Sequence, residues 1–127
     1  MTSDKITPRV FEAILPRICD RDTAFDSKSW SLENPLWGHC AIISVLAQNL
    51  FGGDILFGKN GDVRHYWNRM TNGLEKDFTI AQFRGRQLKL SSVRRVTNSL
   101  QHLRIKGSKR YKLFASRFTK EMAEVRS

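Results

Sequence analysis

Apolar positions fall into a helical stripe at each end of the chain, a nearly continuous apolar block before the middle, and weaker alternating stretches after it. Val10, Phe11, Ile14, Leu15 and Ile18 recur at helical spacing and predict a helix over Pro8–Ile18. Thr7 can cap it, and Pro8 suits the first helical position, where a missing N–H costs nothing. Pro16 argues for a kink or an early stop. Residues 20–35 are polar and irregular, with Trp30 as their anchor. The apolar block is a second helix, starting near Cys40 after the breakers Asn34-Pro35 and Gly38 and ending at Phe51-Gly52-Gly53. Ile42, Ile43, Val45, Leu46 and Leu50 wrap most of its circumference, which predicts a central position.

Short strands are expected over residues 54–57, 64–70 and 74–79, with a turn over 58–61 and a hairpin loop at Thr71-Asn72-Gly73. Residues 80–83 read as a helical turn. Residues 84–106 are ambiguous, because Leu88, Leu90 and Val93 alternate while Val96, Leu100 and Leu103 fit a helix. A last helix follows Ser108 as its cap, with Tyr111, Phe114, Ala115, Phe118, Met122 and Val125 on one face. The predicted fold class is therefore α+β, a central helix on a small antiparallel sheet flanked by N- and C-terminal helices. The 127 residues, 40 % hydrophobic, supply apolar surface for one core and suggest one domain over 1–127.

Charge changes this picture in one respect. Residues 1–83 carry 9 lysines and arginines against 10 acidic residues, while residues 84–127 carry 13 against 2. The whole excess of +10 therefore lies in the last third, as on a solvated basic helix face or a surface for an acidic protein or nucleic acid. Residues 36–51 are too short and too polar to span a bilayer, and no membrane partner is expected. Residues 1–9 include Asp4 and Pro8 and lack the apolar stretch of a secretory leader, so a cytoplasmic location is expected. The two cysteines, Cys19 and Cys40, then read as free thiols.

Cys40 stands where a nucleophile is useful. A thiol reacts as its thiolate, which a helix N-terminus and a neighbouring histidine both favour. First-turn backbone amides are also free to bind a developing oxyanion. The same residue type, taken alone, is also common as buried packing. His65 opens the aromatic strand His65-Tyr66-Trp67, and its relation to Asp77 depends on the hairpin loop. A two-residue turn at Asn72-Gly73 sends His65 and Asp77 to opposite faces. A three-residue loop pairs Met70 with Leu74, sets Trp67 opposite Asp77, and makes His65 and Asp77 diagonal neighbours on one face. In that register Cys40 is the candidate nucleophile, His65 the base and later acid, and Asp77 the group orienting the imidazole. His39, Trp37, Trp67 and Asn68 flank these residues as candidates for oxyanion or substrate contacts. For the two tryptophans core or rim packing is the plainer alternative, and for Asn68 a place on the far face of the strand.

The run Asn34-Pro35-Leu36-Trp37-Gly38-His39-Cys40, the segment Phe51-Gly52-Gly53-Asp54-Ile55-Leu56, His65-Tyr66-Trp67-Asn68, Asp77-Phe78-Thr79 and Gln82-Phe83 together resemble the YunG-like family of small bacterial proteins. Lys109-Arg110-Tyr111-Lys112-Leu113 with Arg117 resembles that family's closing helix, and the likeness runs from about Thr23 onwards. The resemblance implies a papain-like core over about 23–83, with Cys40, His65 and Asp77 at the triad positions and residues 84–127 as a basic extension. Where the family pattern has glutamine before the cysteine, this chain has His39, which can donate only in one tautomer or when charged.

Cys19, His39, Cys40 and His65 match no paired metal-ligand spacing, and neither metal nor cofactor is expected. Three functions follow from these residues. The first is a cysteine-dependent hydrolase or acyltransferase acting on an amide, isopeptide or ester bond of a peptide or protein. The second is a binder of nucleic acid or an acidic protein through residues 84–127. The third is an inactive interaction module on the same fold.

Overall fold

A computed structural model describes residues 6–126, the side chains of residues 125 and 126 excepted. Residues 1–5, on which much of the leader argument rests, and the Val125 side chain lie outside the described part. Helix α1 (Pro8–Ile18) leads to α2 (Cys40–Phe51), then β1 (Asp54–Asn60), β2 (Val63–Arg69), β3 (Glu75–Lys76), β4 (Leu90–Arg95), α3 (Leu100–Lys106) and α4 (Lys109–Arg126). Two short 3-10 segments, Ser27–Ser29 and Ile80–Phe83, lie in the connections. The fold is α+β: four α-helices among the described residues and a four-stranded antiparallel sheet of order β3-β2-β1-β4.

Local sequence accounts for most of these boundaries. Thr7 Oγ1 accepts from Val10 N at 3.2 Å, capping α1, which continues through Pro16 to Ile18. Ser108 Oγ accepts from Tyr111 N at the start of α4. Strand β1 runs three residues beyond the expected 57, because Asn60 pairs with Val63 and leaves only Gly61 and Asp62 as the turn. Conversely, β3 is only Glu75–Lys76 rather than 74–79, since the chain leaves the sheet to bury Phe78. The ambiguous stretch resolves into an edge strand and a short helix. All six residues of β4 are exposed, Ser92 has φ 54°, and the ladder shifts register between Phe57 and Lys59, so no clean alternation marks it.

The core lies between the sheet and the helices. Residues 42–47 of α2 are all buried, and this helix packs against β1, β2, α3 and α4. Phe11 of α1 is fully buried and meets Phe51, Phe78 and Phe118 edge-on, at ring-centroid separations of 5.6, 5.1 and 5.5 Å. One ring thus ties α1, the end of α2, the segment after β3 and α4 together. Among the described residues no helix is long and apolar enough to cross a membrane.

The junction between α2 and β1 permits no side chain. Gly53 has φ +76°, and a Cβ there would stand 2.2 Å from the Arg69 carbonyl oxygen. Gly53→Ala is therefore expected to destabilise the protein by about 2 kcal/mol or more, combining left-handed strain with a backbone clash. Urea unfolding reads this directly, and an unchanged midpoint would refute the clash.

Candidate functional site

The turn before α2 determines where Cys40 sits. His39 N donates to Leu36 O at 3.1 Å, and Ile43 N donates to His39 O at 3.0 Å, so the helix opens at Cys40. No side chain caps this end. The His39 ring turns into the interior and is 0 % exposed. Its Nδ1 lies 2.9 Å from Trp37 O and can only donate there, so Nε2 accepts from the Thr23 hydroxyl at 2.7 Å. Burial pushes His39 down to about 4; the Trp37 bond opposes the shift and the Arg110 charge adds to it. Both nitrogens of this neutral ring are used, so His39 is a bracket for the turn and not the donor considered from sequence.

Arg110, on α4, completes the bracket. Its Nη1 donates to Thr23 O at 2.7 Å and to Gly38 O at 3.1 Å. Burial draws its pKa down while Cys40 raises it, and the two residues line the same groove.

On the sheet, the hairpin adopts the three-residue loop. Met70 N donates to Leu74 O at 2.8 Å, Gly73 has φ +87°, and Arg69 pairs with Glu75 and Asn68 with Lys76. Extending this register puts Trp67 opposite Asp77. His65 Nε2 then lies 2.6 Å from Asp77 Oδ2. The other carboxylate oxygen, Oδ1, accepts from Thr79 N at 3.0 Å and Thr79 Oγ1 at 3.1 Å, which holds the carboxylate plane. The His65 ring is 1 % exposed, stacked on Trp67 at 5.7 Å and met edge-on by Phe83 at 4.9 Å.

Burial alone lowers the basicity of His65. The Asp77 hydrogen bond and the interaction with Cys40 outweigh it, and the pKa is pushed up to about 9. Asp77 occupies Nε2, and Nδ1 is buried without a regular hydrogen bond, which leaves it as the nitrogen available to the thiol. Of the three residues read from sequence as one set, Asp77 is bonded to the His65 ring and Cys40 acts on that ring electrostatically. Cys19 is different: it is buried, and burial with the neighbouring Asp20 charge raises its thiol pKa strongly, so it stays protonated.

A groove of about 520 Å³ opens beside Cys40, walled in part by Phe25, Trp37, Tyr66, Gln82, Ile105 and Arg110. Of the flanking candidates only Trp37 reaches it. Trp67 is 5 % exposed and donates Nε1 to Glu75 Oε1 at 2.8 Å, so its indole packs on His65 instead of lining the groove. Asn68 is 2 % exposed and donates Nδ2 to Ser44 O at 3.0 Å, tying β2 to α2. Sequence reading missed Thr79, Gln82 and Arg110 in these settings. The spacing Asp77-x-Thr79 is a signal for the first, since an aspartate commonly accepts from the backbone two residues on. Arg110 carries no such signal among the many cations of its helix.

A model of the YunG protein family matches residues 7–123, and the chain belongs to that family. The uncharacterised protein YunG of Bacillus subtilis (strain 168) is 35 % identical over 57 residues, 45 % of this chain. That match covers 49 % of the relative, so it spans about half of the curated protein's length. No solved structure matches.

The state of His39 gives a measurable pH dependence. Its native pKa of about 4 lies below the ordinary value of 6.5, so below pH 6.5 the unfolded chain takes a proton that the native ring refuses. The stabilisation is complete above pH 6.5 and is lost as pH falls towards 4. Wild type should lose on the order of 3 kcal/mol more than His39→Gln between pH 7 and 4 in urea unfolding. Parallel pH profiles for the two proteins would show that the ring is not held neutral.

Proposed function

We propose that this member of the YunG family is a cysteine-dependent hydrolase or acyltransferase with a papain-like core, in which Cys40 attacks an amide, isopeptide or ester carbonyl. The observation that carries the reading is His65, whose Nε2 is held by Asp77 at 2.6 Å while Cys40 acts on the same ring. A histidine whose pKa is pushed up to about 9 is a cation at neutral pH. An imidazolium beside a thiol at a helix start favours the thiolate.

The chemistry follows from these positions. The Cys40 Sγ electron pair forms a C–S bond to the substrate carbonyl carbon, and the carbonyl π electrons move to oxygen. Backbone N–H groups of the first turn of α2, which no side chain caps, serve as donors to that oxyanion. Collapse breaks the bond to the leaving nitrogen or oxygen, which takes the proton from His65 and leaves a thioester on Cys40. The now neutral His65 removes a proton from water, or from an acceptor amine or alcohol, as that oxygen or nitrogen attacks the thioester. The C–S bond breaks, the product departs, and the thiolate and imidazolium are restored. Asp77 holds Nε2 throughout, so that Nδ1 is the nitrogen that exchanges the proton.

A second reading, an interaction module without turnover, is favoured by one observation: the position before Cys40 offers no free donor, since both nitrogens of His39 are engaged. Alkylation decides between the two. Iodoacetamide at pH 6.5 should modify Cys40 at least about tenfold faster than a free thiol of ordinary pKa near 8.5, with Cys40→Ala abolishing the reaction. Cys19 should stay unlabelled. His65→Ala should slow the reaction about tenfold or more, and Asp77→Asn by a smaller factor. A Cys40 rate no greater than that of the free thiol leaves the interaction module as the function.

A further inference from the structure

A second concavity adjoins the groove beside Cys40. It also has a volume of about 520 Å³, and Arg64, Tyr66 and Ile105 wall both spaces. Lys59, Arg64, Arg94 and Arg104 line it, and no carboxylate does. None of these four cations has an ion-pair partner among the described residues. Two of them, Lys59 and Arg64, come from the part of the chain with no net positive charge. The basin is thus assembled by the fold from both parts of the chain, two cations from each.

One of its walls is braced. Arg94 lies over the Phe57 ring at 5.0 Å and donates Nη2 to Gln101 Oε1 at 3.0 Å. Gln101 in turn donates Nε2 to the Tyr66 hydroxyl, the shared partition between basin and groove. A guanidinium fixed in this way loses less rotamer entropy when it meets an anion. Its remaining N–H donors form a planar fork suited to carboxylates and phosphates alike.

The character of the walls separates these two kinds of anion. Sequence-tolerant binding of single-stranded nucleic acid uses exposed aromatic faces on which bases stack. The aromatic residues of the basin, Phe57 and Tyr66, are 5 % and 9 % exposed, and Arg94 covers the face of Phe57. Compact cations around a short basin, without stacking platforms, suit carboxylate side chains on an extended peptide.

We propose that the substrate of the Cys40 site is an acidic polypeptide segment, whose aspartate and glutamate side chains occupy the Lys59–Arg64–Arg94–Arg104 basin while the bond to be attacked lies in the adjoining groove. This rests on the cysteine-hydrolase reading for the word substrate; the acidic-peptide site rests on the basin alone. Asp62, which lines the groove but not the basin, sets a boundary by repelling acidic residues placed close to the reacting bond.

The test uses the full chain carrying Cys40→Ala and a fluorescent peptide of about ten residues rich in Glu and Asp, followed by anisotropy at about 0.05 and 0.15 M salt. The expected result is saturable binding that weakens several-fold at the higher salt. Arg94→Gln with Arg104→Gln should weaken it at least about tenfold, and Arg104→Gln alone, on the exposed face of α3, by a smaller factor. Removing the same charge at Lys28 and Lys112, which line neither space, should change it less than about twofold. With Cys40 intact, the acidic peptide should also slow its alkylation by covering the groove. Equal binding of the Gln/Asn counterpart peptide, or indifference to the two arginines, overturns the proposal. So does tighter, arginine-dependent binding of a single-stranded oligonucleotide of equal charge, which would make the basin a nucleic-acid site. Arginine-dependent peptide binding with an unactivated Cys40 would instead retire the hydrolase reading and keep the acidic-peptide site.

Discussion

The number of residues between Met70 and Leu74 governs the pairing of His65 with Asp77. Strand side chains alternate, so a loop one residue shorter would turn Asp77 to the opposite face from His65. With three residues in the loop, the register continues through Asn68–Lys76, and the carboxylate arrives 2.6 Å from the imidazole. The chain then leaves the sheet at once. Phe78 is drawn into the core against Phe11 and Phe51, while Thr79 folds back on Asp77 Oδ1. Core packing on one side and two hydrogen bonds on the other leave Asp77 little freedom, and through it His65 has little. An apolar insertion and a polar contact at consecutive positions thus serve the same end.

The other half of the site depends on the start of α2. Here a polar bracket replaces apolar packing: the neutral His39 ring spans Trp37 O and the Thr23 hydroxyl, and Arg110 spans Thr23 O and Gly38 O. Gly38 O also accepts from Phe25 N at 2.9 Å, so several donors converge on this turn and fix its backbone. Their geometry explains why a histidine can occupy position 39 without competing with His65 for the thiol. It faces away, and both its nitrogens are used.

Much of this was legible in the sequence, for local reasons. Breakers ahead of an apolar run located Cys40 at a helix start, and Thr7 and Ser108 announced their helices through hydroxyls that cap free amides. The hairpin was legible only as two alternatives, because Thr71-Asn72-Gly73 suits a two- or a three-residue loop. Strand β4 was legible only as one of two alternatives, since both its faces are exposed and its register is broken, which weakens the alternation that marks a strand. For His39, Asn68 and Trp67 the sequence left the orientation open for a common reason. Adjacency to catalytic-type residues says nothing about which way a side chain turns: His39 and Asn68 bond in the interior, and Trp67 bonds to Glu75.

Arg110 stands 87 residues after Thr23 and 72 after Gly38, yet it donates to both of their carbonyls. During synthesis, α2 and the sheet leave the ribosome well before this arginine does. The turn ahead of the thiol therefore receives its last two partners only when the final helix docks. A chain interrupted short of α4 would carry Cys40, His65 and Asp77 and still lack the arginine that joins Thr23 O to Gly38 O. The order of translation thus delays completion of the turn ahead of Cys40 until α4 has been made and has docked.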